Sequence, residues 1–79
     1  MIRAEFSVYP FVTSGMALPA YVQVAIDELE GSGFRVEVGP LGNSVVGELQ
    51  GLLEALCRAE VKAIAAGALR IVVDIREST

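Results

Sequence analysis

Histidine is absent from this sequence of 79 residues, and Cys57 is the single cysteine. A Ser-His or Cys-His nucleophile pair therefore cannot be built, because each needs an imidazole as its base. With no histidine and one cysteine, the chain also cannot form a Cys/His zinc site or an intramolecular disulfide. We interpret Cys57 as a structural or incidental thiol, and we expect no catalytic residue, no metal and no cofactor.

Clusters of basic residues are also absent, because six Lys and Arg residues stand against ten Asp and Glu residues, a net charge of −4. Nucleic-acid binding needs such clusters, since they displace counterions from phosphates. The longest helical candidate, residues 48–66, is interrupted by Glu54, Arg58, Glu60 and Lys62 and is not expected to span a membrane. We therefore expect a cytoplasmic protein that binds neither nucleic acid nor membranes. The acidic balance suits a cationic ligand, although it is equally ordinary for a soluble protein.

The period of the hydrophobic pattern changes along the chain and predicts the order strand, helix, strand, strand, helix, strand. The predicted segments are residues 3–9, 19–30, 34–38, 43–47, 48–66 and 69–76. Right-handed crossovers place both helices on one face of a four-stranded antiparallel sheet. The sequence thus predicts a single α+β domain over residues 1–79, a ferredoxin-like βαββαβ sandwich.

The second face of this sheet carries no helix, and we call it the open face. Alternation along the strands assigns to it Arg3, Glu5, Ser7, Tyr9, Arg35, Glu37, Arg70, Val72, Asp74 and Arg76. So short a chain buries only a little over ~60% of its unfolded surface, yet 53% of its residues are hydrophobic. We therefore expect a homo-oligomer, a dimer or a tetramer, in which a second copy covers the open face.

The end of the first strand offers groups that suit a planar ligand. Ser7 supplies a hydroxyl, and Tyr9 and Phe11 supply two aromatic rings on either side of a proline. Aromatic rings at a strand end can stack on a flat ring or face a cation. The alternative is that both rings cap the core or an oligomer contact.

Polar residues elsewhere on the sheet allow two further interpretations. Asn43 and Ser44 could hydrogen-bond the edge of a heterocycle, although both residue types are also common in turns. Glu5 and Asp74 could meet as an acid/base pair, but a solvated or salt-bridged surface explains them more simply.

Short segments spread over nearly the whole chain form a recognisable series. They are AEFSVYP at residues 4–10, YV at 21–22, AI at 25–26, LE at 29–30, SGF at 32–34, EVGPLG at 37–42 and AGALRIV at 66–72. In this order they resemble the YkoF-like thiamine-binding family of small prokaryotic proteins. The resemblance implies a ferredoxin-like fold, dimers that pair as tetramers, and binding of thiamine or its hydroxymethylpyrimidine precursor without turnover.

The resemblance also implies where the ligand is held. The resemblance assigns the main ligand contacts to Ser7 and Asn43. This sequence departs from the family at two positions, since it has Asn43 where the family usually has threonine and Val46 where the family usually has glutamate. The predicted ligand-binding residues are Ser7, Asn43, Glu5, Tyr9, Phe11 and Ser44. The alternative function is a ligand-free structural or regulatory homo-oligomerisation module, and a third is an enzyme that uses Glu5 or Asp74.

Overall fold

The computed structural model describes residues 1–10, 18–39 and 42–77. These residues contain two helices and four strands. In chain order they are β1 (Ile2–Tyr9), α1 (Ala20–Gly31), β2 (Val36–Val38), β3 (Asn43–Gly47), α2 (Leu49–Ala65) and β4 (Arg70–Glu77). The sheet has the order β2-β3-β1-β4, and each pair of neighbouring strands is antiparallel. The predicted ferredoxin-like α+β fold is confirmed.

The core lies between the helices and one face of the sheet. Strand β1 alternates strictly, so that every second side chain is buried, whereas the helices bury residues at the helical period. Alanines on the buried side of α2 leave room for the helix to lie close to its neighbours. The buried side chains of these three elements are Ile2, Ala4, Phe6, Val8, Val22, Ala25, Ile26, Leu29, Leu52, Ala55, Leu56, Ala59 and Ala63.

The predicted strand boundaries differ from the observed ones by at most two residues, and the largest difference is at the start of β2. Strand β2 begins at Val36 and not at residue 34, because the Phe34 N–H donates to the Leu29 carbonyl at 3.0 Å and so closes the end of α1. Strand β4 begins at Arg70, and the preceding Leu69 is 83% exposed although the alternation had assigned it to the buried side.

The Phe34 ring fills a gap over Gly47 at the end of β3. A Cβ atom at Gly47 would lie 2.5 Å from Phe34 Cε1 and 3.5 Å from Leu52 Cβ. Carbon atoms do not approach this closely, so the ring could not keep its position against the core. The absence of a side chain at residue 47 is therefore part of the packing.

We predict that Gly47→Ala lowers the free energy of unfolding by about 1–3 kcal/mol, because the new methyl group displaces the Phe34 ring. Gly51→Ala is the matched control, since its Cβ would lie at an ordinary 3.7 Å from Phe34 Cζ. In helix α2 this control should gain up to about 1 kcal/mol from helix propensity. Urea unfolding measures both changes, and an unaltered midpoint for Gly47→Ala would refute the packing argument.

One cluster of charges joins the two helices. Glu28 on α1 contacts Lys62 Nζ through Oε1 and Arg58 Nε through Oε2, the latter at 3.3 Å. Arg58 also donates to Ser32 Oγ at 3.1 Å. The hydrogen bond from Lys62 is the main cause that lowers the pKa of Glu28; partial burial opposes it, and Arg58 lowers the pKa further. The carboxylate is thus held in its charged form by cations of the opposite helix.

This arrangement predicts a pH-dependent part of the stability. Because the folded pKa of Glu28 lies below its ordinary value of 4.5, the stabilisation is present above that value and disappears as the pH falls through the folded pKa. Glu28→Gln should therefore unfold at lower urea concentration than the parent protein at neutral pH, and at the same concentration in strong acid. Glu30→Gln, which removes an exposed charge from the same helix, should change neither midpoint appreciably.

Candidate functional site

The strand register places three carboxylates and a hydroxyl in one line across the open face. Glu37 is paired with Ser44, Ser44 with Glu5, and Glu5 with Asp74, so that each of the four strands contributes one residue. We call these four residues the acidic row. Directly opposed side chains on a sheet lie about 4.5–5.5 Å apart at Cβ, close enough for their charges to act together on one ligand.

A second row, one step along the strands, carries positive charge. Arg3 is paired with Arg76 of β4, and we call these two residues the basic row. Arg3 Nε donates to Ser44 Oγ at 3.1 Å, which ties the basic row to the acidic row. The residues lining a shallow depression of ≈ 170 Å³ here are Arg3, Arg35, Glu37, Ser44, Val45 and Val46.

Arg76 and Asp74 form a bidentate ion pair within β4. The guanidinium donates to both carboxylate oxygens at 3.1 and 3.2 Å, and this hydrogen bonding lowers the pKa of Asp74 and raises the pKa of Arg76. A general acid near neutral pH needs the opposite shift. The geometry therefore favours a fixed negative charge at Asp74 over an acid/base pair with Glu5.

Aromatic and hydroxyl groups meet at the end of β1. The Arg70 guanidinium lies over the Tyr9 ring, with its carbon 4.8 Å from the ring centroid. Two residues before Tyr9 on β1, the Ser7 hydroxyl lies close to Gly42. A Cβ atom at Gly42 would come within 2.8 Å of Ser7 Oγ, so only glycine leaves space for that hydroxyl. The Tyr21 hydroxyl donates to the Pro10 carbonyl at 2.9 Å and so ties Pro10, directly after β1, to helix α1.

Four of the predicted ligand-binding residues share one face. Glu5, Ser7 and Tyr9 of β1 alternate away from the core, and Ser44 lies beside Glu5.

Asn43 does not join this group, because its side chain is on the helix side of the sheet and only 7% exposed. Its Nδ2 donates to the Phe6 carbonyl at 3.3 Å. Phe11 lies outside the described residues.

Sequence reasoning assigned Glu37 and Asp74 to the open face and brought Asp74 together with Glu5, but it did not bring Glu37 and Ser44 into line with them. The periodicity of a strand shows which face a side chain occupies, but it does not show which residue of the neighbouring strand lies opposite. The strand order and the register supply that information. No signal in the sequence alone would have added Glu37 and Ser44 to the pair of Glu5 and Asp74.

A larger depression, of ≈ 360 Å³, lies between the helices. Its lining residues are Val24, Asp27, Glu28, Gly31 and Lys62. The Glu28 carboxylate there is already paired with two cations, and the lining offers no aromatic ring. This groove is therefore a weaker site for a flat cationic ligand than the open face.

Residues 1–10, 18–39 and 42–77 contain neither a candidate metal site nor a candidate membrane-spanning helix. Within these ranges, no three His, Cys, Asp or Glu side chains come together in a way that could hold a metal ion. In the same part of the chain, no helix has the length and apolar character needed to cross a membrane.

The sequence matches the thiamine-binding protein family over residues 4–78. The match extends over almost the entire chain, and the chain belongs to this family. No curated protein matches it.

Solved structures similar to this chain come from both bacteria and archaea. A domain of unknown function from Bacillus cereus is 32% identical, with a TM-score of 0.68 over 95% of this chain and 71% of that chain. A hypothetical protein from Methanocaldococcus jannascii is 25% identical, with a TM-score of 0.70 over 99% and 80%. A candidate thiamine biosynthesis/salvage protein from Thermotoga maritima is 25% identical, with a TM-score of 0.69 over 98% and 83%.

Proposed function

We propose that this chain is a non-catalytic binding protein for thiamine or its hydroxymethylpyrimidine precursor, of the YkoF-like kind, and that the open face carries the site. Membership of the thiamine-binding family supports a small-molecule ligand. The observation that carries the proposal is the acidic row, which crosses the sheet beside Ser7 and Tyr9. The row places three carboxylates on an exposed surface that also carries Arg3 and Arg76, and these carboxylates can attract a cation.

Thiamine joins a planar aminopyrimidine to a permanently cationic thiazolium ring. The carboxylates of Glu5 and its row neighbours would attract the thiazolium, and the Tyr9 ring already holds a cation, the Arg70 guanidinium. The hydroxyls of Ser7 and Ser44 can donate to and accept from the ring nitrogens and the amino group of the pyrimidine. Both halves of the ligand thus have partners of suitable chemistry on one face.

Asn43 and Phe11 would have supporting roles in this site. Asn43 binds the carbonyl of Phe6, the residue before Ser7, from the helix side, and so acts as a positioning residue for β1. We keep Phe11 as the second aromatic wall of the site.

Val46, which stands where the family resemblance implies a glutamate, is paired with Arg3. The acidic row would supply to the ligand the negative charge that this position lacks.

We further propose that the protein is a cytoplasmic homo-oligomer, a dimer or a tetramer, in which a second copy covers the open face. Val46 and Val72 are each 41% exposed on that face. A two-fold axis can set the acidic row of one copy against the basic row of the other. Such a cover would also exclude water from the bound ligand. The same exposed valines are what favours the second candidate, a homo-oligomerisation module without a ligand.

The binding proposal predicts that thiamine raises the melting temperature, since a ligand of the folded state adds about 2.7 kcal/mol at a hundredfold excess over its Kd. Glu5→Gln should weaken thiamine about 2–5-fold, as expected for one partly solvated charge pair, and leave the uncharged hydroxymethylpyrimidine almost unaffected. Ser7→Ala should weaken both ligands, because the pyrimidine hydrogen bond is lost.

Titration calorimetry or thermal shift measures these affinities. Glu30→Gln is the matched control, since it removes the same charge from an exposed position on α1 and should leave both affinities unchanged. Absence of any shift with millimolar thiamine and hydroxymethylpyrimidine would overturn the proposed ligand. Equal weakening by Glu5→Gln and Glu30→Gln would overturn the proposed site.

A further inference from the structure

A third arginine stands in line with the basic row. Arg35 directly precedes β2, and the register that sets Val36 opposite Val45 brings Arg35 alongside Val46. Val46 is in turn paired with Arg3, so the two arginines flank Val46 from either side. All three residues line the depression of ≈ 170 Å³ on the open face. This depression thus has a cation on two of its sides and an apolar side chain between them.

Neither arginine of the depression is neutralised by a carboxylate. In the part of the chain that the structure describes, the ion pairs are those of Glu28 and Asp74. Arg3 uses its Nε to donate to Ser44 Oγ at 3.1 Å, which leaves the two terminal amino groups of its guanidinium for another acceptor. Arg3 and Arg35 therefore present positive charge that no ion pair compensates.

The depression also borders the acidic row, so that opposite charges lie side by side. Glu37 and Ser44 belong to the acidic row and to the lining of the depression. Residues on the same face of a strand lie about 7 Å apart, because the rise is about 3.4 Å per residue, and this is the step from Glu5 to Arg3. A ligand whose cation and anion are joined by a short arm would meet an opposite charge at each end.

The size of the depression suits one substituent of a ligand. Pockets for complete small molecules have volumes of about 300–1,000 Å³, and this depression has ≈ 170 Å³. A guanidinium group binds phosphate or carboxylate through paired N–H donors. Two guanidinium groups on opposite sides favour phosphate, because its three terminal oxygens can accept from both at once, whereas a carboxylate is filled by one.

We infer that Arg3 and Arg35 form a phosphate subsite, and that the protein prefers the phosphate ester of its ligand, thiamine monophosphate, to free thiamine. The inference rests on the proposed function, because it keeps the cationic ring of thiamine on the acidic row. The phosphate of the ester is carried on the hydroxyethyl arm of that ring, and this arm spans the step to the arginines. The two rows of the open face thus recognise the two charges of one ligand.

Val46 is the residue that determines this preference. A carboxylate at position 46 would stand between the two guanidinium groups and pair with them, since unlike charges on directly opposed strand residues attract. The arginines would then have no positive charge left for a phosphate. The apolar side chain at this position therefore keeps the subsite open to an anion.

Titration calorimetry in low-salt buffer with thiamine, thiamine monophosphate and inorganic phosphate tests the subsite. The monophosphate should bind about 4–25-fold more tightly than thiamine, the product of two partly solvated charge pairs of about 2–5-fold each. Inorganic phosphate should bind much more weakly than the ester, because it makes no contact with the acidic row or the aromatic ring.

Arg35 is the better position for a substitution, since Arg3 also holds Ser44. Arg35→Gln should weaken the monophosphate about 2–5-fold and leave thiamine equally or slightly more tightly bound, because the lost charge repels a cation. Arg58→Gln is the matched control, since it removes the same charge from α2 and should change neither affinity.

Substitutions at Val46 test the same subsite by adding a charge. Val46→Glu should weaken the monophosphate and strengthen thiamine, so that the preference disappears. Val46→Gln has nearly the same shape without the charge and should keep the preference.

The outcomes separate this inference from the proposed function. Equal affinity of the parent protein for thiamine and its monophosphate would overturn the subsite and leave thiamine as the ligand. A preference that survives both Arg35→Gln and Val46→Glu would also overturn the subsite. Inorganic phosphate that binds as tightly as the ester would assign the arginines to free phosphate and contradict the preference for an ester. Failure of both thiamine and its monophosphate to bind would overturn the proposed function and the inference together.

Discussion

The position of β1 between β3 and β4 is the constraint on which the fold and the site both depend. Its strict alternation buries Ile2, Ala4, Phe6 and Val8 and thereby turns Glu5, Ser7 and Tyr9 to the other face. A slip of one residue would exchange the two sets and expose the core, so burial fixes the face of each polar side chain. Hydrophobic packing on one side of the strand thus orients the polar groups of the proposed site on the other.

The charges of the open face can contribute more to the recognition of a ligand than to the stability of the fold. The Arg76–Asp74 pair is well exposed on both partners, and exposed ion pairs add little to the free energy of folding. The Asp74 carboxylate nevertheless stands in line with Glu5, and a flat cation can approach this line from solvent. By contrast, the charges between the helices are paired with one another around Glu28 and have a structural role. The protein therefore separates a charge cluster that holds the helices together from one that is available to a ligand.

The sequence was sufficient for the order of elements, since Phe6 and Val8 alternate at the strand period and Leu52 and Leu56 recur at the helical one. It was insufficient where a local contact outweighs the pattern. The alternating pattern predicts Phe34 as part of a strand, but the Phe34 N–H closes the end of helix α1 instead. Asn43 reads as a ligand contact, but its position in β3 turns the amide towards the helices, where it binds a backbone carbonyl. The acidic row depends on register, which no property of a single strand encodes.

The most direct test of the account is to map the amide resonances that move when thiamine is titrated into the isotopically labelled protein. The largest changes should follow the open face, at Glu5, Ser7, Tyr9 and Ser44, while the helices stay nearly unaffected. The groove between α1 and α2 offers the competing outcome, because it is the larger depression. Changes centred on Asp27 and Lys62, with β1 unaffected, would contradict the assignment of the site to the open face.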